Sequence, residues 1–179
     1  MEMSPTMDRF ILHWGEMGAR WGVNRSVSQV HALLFLADRP LHAEEIAKTL
    51  DMARSNVSTS LRELMSWRLI QLVHLHGDRR DHYAAEQDCW VMLQRIVEGR
   101  KQREIDPTLS TLRACMIESA EDETPAHAQA RIAEMHDFLA ALDDWYGEMR
   151  RLDVPLQRRL LSMGGAIVKV LPGGKKASE

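Results

Sequence analysis

Cysteine is scarce in this chain: Cys89 and Cys115 are the two among 179 residues. Two isolated thiols cannot frame a disulfide scaffold, so a reducing compartment is expected, with both side chains buried and inert or, alternatively, forming a redox switch. Long apolar runs are missing as well. None approaches the roughly 18 residues needed to cross a bilayer, and the opening MEMSPTMDRF has no basic stretch leading into an apolar one. The reading is a cytoplasmic protein with no membrane partner. A Ser-His-Asp order, a glycine-rich phosphate loop and a His-Glu-x-x-His helix are all absent, so neither an enzyme nor a cofactor is implied. Net positive charge is lacking too, at -3 overall. That average conceals a strong asymmetry. From Met52 to Arg80 five arginines face two acids, a net of +3, whereas Glu118 to Glu148 holds nine acids against Arg131, a net of -8. A local cationic face therefore exists, and the acidic stretch belongs far from any polyanion.

The cationic stretch sits in the most ordered pattern of the chain, Ala43 to Ile70. Ile46 and Leu50 at i and i+4 make one apolar face of a short helix, and Glu44 and Glu45 occupy its first turn, where the helix dipole favours negative charge. Val57, Leu61 and Leu64 continue an inward line through a second helix at three- and four-residue spacing. The opposite face carries Arg54, Ser55, Asn56, Ser58, Thr59 and Arg62. Short polar groups between two arginines can enter a major groove and hydrogen-bond base edges or phosphates, although the same residues also serve as an ordinary solvated face. Two short helices joined by a tight turn are a helix-turn-helix.

The residues after the second helix narrow the choice. The run IQLVHLH (Ile70 to His76), the turn GDRRD (Gly77 to Asp81) and the returning HYAAE predict a hairpin, with Leu41-His42 as a short edge strand beside it. A helix-turn-helix followed by a hairpin with a basic tip is a winged helix, and Arg79 and Arg80 stand where they reach a neighbouring minor groove or phosphates. His74, His76, Asp78 and His82 gather in the same hairpin. Solvent-facing polar residues are expected there rather than a metal site, because a hairpin brings such residues together without any ion.

Gly22, then SQVHALLFL (Ser28 to Leu36), Pro40-Leu41 leading into AEEIAKTL, RSNVSTSLREL, SWRLI and GDRRDHY follow one another in a specific order. The stretch from about Arg20 to Tyr83, and more loosely the helical remainder, resembles the GbsR branch of the MarR family of bacterial transcriptional regulators. Two departures stand out. Arg68 replaces the glycine that usually ends the recognition helix, at a cost of about 1 kcal/mol in a left-handed cap, so a different helix end is expected. Ala53 offers no capping side chain, leaving Asp51 or Ser55 as substitutes. The resemblance also implies sensing of choline-like quaternary ammonium compounds, for which Trp14, Trp21, Trp90, Trp145 and Tyr146 would supply aromatic faces. Ordinary core packing is the alternative for those rings.

The rest of the chain reads as helices. A first one, from about Thr6 to Trp21, lines up Phe10, Trp14, Met17 and Trp21, with Gly15, Gly18 and Gly22 allowing close approach or ending it. Ser26 or Ser28 starts a second, which buries Val30, Leu33, Leu34 and Leu36 and stops at Asp38-Arg39-Pro40. After Glu86 a helix with Trp90, Val91, Leu93, Ile96 and Val97 is kinked or divided by Pro107. Thr124 and Pro125 begin a long helix whose apolar face runs from Ile132 to Met149, and Pro155 begins a last one that carries Leu156, Leu160, Leu161, Ala166 and Ile167. Such faces need a partner, either a second copy of the chain or a bundle within it.

The expected architecture is mainly α: a winged helix-turn-helix domain with a small β-hairpin wing, plus long helices forming a dimerisation arm. Residues 1-24 make an N-terminal helix, 25-87 the DNA-binding domain, 88-171 the dimerisation region and 172-179 a disordered tail. The function read from this is a homodimeric regulator on double-stranded DNA, a repressor on a palindromic operator that a small-molecule effector releases. A winged helix used for protein interaction, without specific DNA binding, is the rival.

Overall fold

The computed structural model describes residues 3-170, with side chains as far as Met163. The stretch expected to be a disordered tail, and the side chains of Ala166 and Ile167, lie outside the described residues. The chain forms two compact units, Met1–Gly99 and Arg100–Glu179.

In the first unit, α1 (Pro5–Arg20) starts where Ser4 accepts from the Met7 N–H, with Pro5 in the first turn, where its missing N–H costs nothing. It lies against α2 (Arg25–Leu36). Two glycines of α1 permit this closeness. A Cβ on Gly18 would stand 1.9 Å from the Ser28 Oγ, and one on Gly15 would stand 2.6 Å from the Gln29 side chain. Gly22 at φ +78 ends α1, with the Val23 N–H donating to the Gly18 carbonyl at 2.9 Å. Trp21, expected on the same face as Trp14, is instead the C-cap of α1 and 66% exposed; Trp14 stacks on Phe10 at 5.6 Å. The start of α2 is also one step earlier than expected, because Asn24 and not a serine caps it, accepting from Ser26 N–H at 2.8 Å.

The core of this unit is built around α2. Val27, Val30, Leu33 and Leu34 are buried against Ile11, Leu41, Ile46, Val57, Leu61 and Leu64, the last five from β1 (Leu41–His42), α3 (Ala43–Leu50) and α4 (Arg54–Ser66). Strands β2 (Ile70–Val73) and β3 (His82–Ala85) complete an antiparallel sheet in the order β1-β3-β2, with Leu41 opposite Tyr83 and Ile70 opposite Ala85. The edge strand before α3 thus pairs with the wing as the sequence suggests. β2 is shorter than the apolar run that announced it, and residues 74-81 form the loop.

Two caps of the helix-turn-helix differ from expectation. Asp51 does not cap α4; it closes α3 in the left-handed region at φ +50, and Ala53 leaves α4 without a side-chain cap. Arg68 does not move the end of α4. It adopts φ +57 itself, with Leu69 N–H donating to the Leu64 carbonyl at 3.0 Å, and its own carbonyl accepts from Arg95 of α5 (Cys89–Arg100). That contact offsets part of the left-handed cost. Cys89, expected to be buried, is exposed, and Cys115 is half-buried.

In the second unit a π-helical turn, Lys101–Ile105, precedes α6 (Asp106–Glu118), which begins with Pro107 in its first turn. Pro107 does not interrupt the helical stretch: the backbone stays right-handed helical through it, and the π-helical turn just before it is where the regular pattern changes, as a ring in mid-helix removes one hydrogen bond and crowds the carbonyl one turn back. The bend into α7 (Ala126–Arg151) is held by the Gln129 side chain, whose Nε2 donates to the carbonyls of Ser119 and Thr124. Thr124 is not the cap: Pro125 takes that position with no side-chain bond. Lys101 bridges Asp106 and Asp143, and these carboxylates raise its pKa. α8 (Val154–Val170) starts with Asp153 Oδ1 accepting from the Leu156 N–H. No residue of α7 is buried, and Phe138 and Trp145 are 59% and 63% exposed.

Candidate nucleic-acid interface

On α4 the division between inward and outward faces is complete. Val57, Ser60, Leu61 and Leu64 are buried, while Arg54, Ser55, Asn56, Ser58, Thr59 and Arg62 are all exposed. Helical periodicity explains both sets, since residues three and four apart share a side. Ser60 is the polar residue whose inward placement the pattern did not announce. Arg62 donates from Nη2 to the Thr59 Oγ1 at 3.3 Å, one turn back along this face. Arg54 pairs with Glu44 of α3, Nη1 to Oε1 at 2.5 Å.

The wing loop is ordered by its own acid. Asp78 accepts from the Arg80 backbone N–H at 3.0 Å and from its Nε at 2.9 Å, with Nη2 on the second carboxylate oxygen. Hydrogen bonds from Arg80 hold the Asp78 carboxyl well below the usual carboxylate range, and Asp78 in turn raises the Arg80 pKa. A paired arginine keeps a defined direction. Arg79 is exposed, with no ion-pair partner among the described residues. His82 departs from the expected solvent-facing wing histidine: it is buried at 4% exposure, its Nδ1 2.9 Å from the Arg80 carbonyl and its ring edge-on to His42 at 5.5 Å. Strand pairing causes this, because His42 and His82 are register partners.

His42 joins the wing to α3. Its Nδ1 accepts from the Glu45 N–H at 3.3 Å as the N-cap, and its Nε2 lies 3.0 Å from Arg80 Nη1. A neutral imidazole has one acceptor nitrogen, so His42 either caps α3 or accepts from Arg80, never both at once. Glu45 is tied to Arg39, whose guanidinium lowers its pKa. Between these elements lies a cleft of about 220 Å³, lined by His42, Glu44, Arg54, Ser58, Arg80 and Tyr83 among others. Sequence reasoning placed Arg54, Ser58 and Arg80 on the interface and missed His42, Glu44 and Tyr83. Glu44 and Arg54 are ten positions apart on different helices, so no local spacing rule joins them.

An exposed polar helix face beside a basic loop describes many winged helices; the order of motifs is more specific. Residues 21–81 match the model of the MarR family. The matched segment runs from the end of α1 through α4 to the wing loop. Over 148 residues the chain is 20% identical to YvaV of Bacillus subtilis (strain 168), a candidate HTH-type transcriptional regulator, covering 81% of this chain and 84% of that one. It also resembles the crystal structure of a transcriptional regulator with a TM-score of 0.64 at 20% identity, covering 80% of this chain and 95% of that chain. The likeness shows a shared fold that extends well beyond the matched segment.

The aromatic residues considered for an effector are spread over both units. Trp14 and Trp90 are half-buried and Trp21 exposed in the first; Trp145 is exposed and Tyr146 half-buried on α7 in the second. Among the described residues no group of three or more histidines, cysteines or carboxylates is arranged to hold a metal ion, and no helix is long and apolar enough to cross a membrane.

Proposed function

We propose that this chain is a DNA-binding transcriptional regulator of the MarR family, with α4 as the recognition helix. The observation that carries this reading is the exposed polar face of α4, with six side chains, beside a wing loop that carries two exposed arginines, within the segment that matches the family. Asn56, Ser58 and Thr59 read base edges, because short polar side chains at a groove-facing position discriminate donors from acceptors. Arg54, Ser55 and Arg62 contact base or phosphate at the groove edges, and Arg79 and Arg80 add backbone affinity from the wing.

A homodimer through α7 goes with this reading. On the apolar face from Ile132 to Met149, Met135, Phe138, Leu142 and Trp145 are exposed, while Ile132, Leu139, Tyr146 and Met149 are half-buried. A two-fold pair would present two α4 helices to successive major-groove faces about 34 Å apart, hence a palindromic operator. Release by a small-molecule effector, of the quaternary ammonium class that a GbsR-type regulator would sense, completes the proposal.

Selection of bound sequences from a random duplex pool, followed by Asn56→Ala, tests it. The variant should bind the selected site about 1 to 3 kcal/mol more weakly and random duplex nearly unchanged. Equal losses on both would remove Asn56 from base reading, and failure to enrich any sequence would remove sequence-specific binding.

A further inference from the structure

Glu44 stands on the proposed DNA side of the molecule with its carboxylate on Arg54, which is the wrong charge for a surface meeting phosphate. Both side chains are exposed, at 54% and 67%, and the pair is made through one contact, Nη1 to Oε1. Arg80 differs: Asp78 engages it through Nε and Nη2 with both carboxylate oxygens. The Glu44 pair is therefore the weaker and more readily exchanged of the two, since an exposed single-contact ion pair gains little over water.

The surroundings suit an exchange of anions. The cleft beside Arg54 is several times the ~30 Å³ that a water molecule takes in the liquid. Its charged lining residues are Arg54 and Arg80 against Glu44 and Asp81, with Ser58 and Tyr83 as hydroxyl donors and His42 behind Arg80. Moving Glu44 aside frees the Arg54 guanidinium beside two hydroxyls, with Arg80 still held by Asp78. A second feature adds to this attraction. Ala53 gives α4 no capping side chain, so the positive end of that helix is not screened by its own N-cap. Guanidinium groups match phosphate oxygens at least as well as carboxylates, and a displaced Glu44 remains in the first turn of α3, where the helix dipole still favours it.

We propose that Glu44 is a resident competitor for the DNA backbone: it occupies Arg54 in the free protein, and a phosphodiester oxygen replaces it in the cleft between α3, α4 and the wing. The proposal rests on the DNA-binding reading and adds to it a residue that sets the threshold of affinity. Its consequence is general weakening of binding to any duplex, with sequence discrimination left to the side chains that face bases.

The test is fluorescence anisotropy of the full chain on a selected duplex and a random one, across a salt series. Variants are Glu44→Gln, Arg54→Gln, the double variant, and Glu123→Gln in the bend before α7 as a matched change of charge, each checked by circular dichroism for an unchanged melting curve. Glu44→Gln should tighten binding to both duplexes by about two- to tenfold at low salt and steepen the slope of log affinity against log salt by about 0.9. In the Arg54→Gln background the same change should have less than about half that effect on a logarithmic scale, because the competitor then has no arginine to occupy. Unchanged affinity in Glu44→Gln, a gain that persists in full without Arg54, or an equal gain in Glu123→Gln each overturns the proposal while wild-type binding leaves the DNA reading intact. Wild-type protein that binds no duplex at all overturns both.

Discussion

Acid should destabilise the first unit through His31, and the size of the effect is set by where that side chain sits. His31 lies on α2 at 5% exposure, and its Nε2 has no hydrogen-bond partner among the described residues. Burial favours the neutral ring and lowers its pKa from 6.5 to about 4. As the pH falls, the unfolded chain takes up this proton near 6.5, while the folded chain resists until about 4. Between those values the unfolded state binds more protons, so stability decreases with falling pH; the contribution is complete above 6.5 and exhausted below 4. At about 1.36 kcal/mol per pH unit the interval is worth about 3 kcal/mol, a large part of a typical domain's stability. The measurement is urea unfolding, followed by circular dichroism, of wild type and His31→Leu between pH 7.5 and 4. Carboxylates that titrate in the same range are common to both proteins and cancel in the difference. The variant's stability relative to wild type should rise by about 3 kcal/mol on acidification, with equal denaturant slopes. A difference that stays constant across the range would show that His31 protonates without cost and that its burial is misjudged.

Three further outcomes are expected. Gly18→Ala should lower stability by about 1 to 3 kcal/mol, because the new Cβ would stand 1.9 Å from the Oγ of buried Ser28; Gly22→Ala, strained at φ +78 but with open space around it, should cost only about 1 kcal/mol, and reversal of that order in thermal melts would contradict the close approach of α1 and α2. Truncation after Gly99 should leave a folded winged helix that sediments as a monomer, while the full chain sediments as a dimer; a dimeric truncation product would move the interface into the first unit. Replacing Arg79 and Arg80 together with Ala should weaken selected and random duplexes by similar factors and reduce the salt slope by about 2, and an unchanged slope in a folded variant would mean that the wing does not touch phosphate.

The parts of the fold that could be read in advance are those governed by local periodicity. Ile46, Val57, Leu61 and Leu64 are core residues because their spacing matches the helix, and Leu41-His42 joins the sheet because a β pair beside a hairpin has only an edge to occupy. Caps were harder, since Asn24, Asp51 and Arg68 each have competing neighbours one or two positions away and small energies decide among them. Spacing could not reveal contact between elements distant in sequence. His82 is buried because His42, forty positions earlier, pairs with it across the sheet, and Arg54 is engaged because the turn after α3 brings Glu44 back alongside it. The outward face of α4 was legible as a list of residues; its electrostatic state was not, because that state depends on acids contributed by α3 and the wing loop.

DNA binding is the central claim, and one measurement addresses it directly: anisotropy of labelled duplex DNA against full-length protein over a salt series from about 50 to 200 mM. Arg54, Arg62, Arg79 and Arg80 supply four candidate phosphate contacts per chain, so log affinity should fall linearly with log salt at a slope of about -3 to -4 per bound chain. Folded protein that shows no affinity for any duplex at the lowest salt would contradict that claim and leave the winged helix with a partner other than DNA.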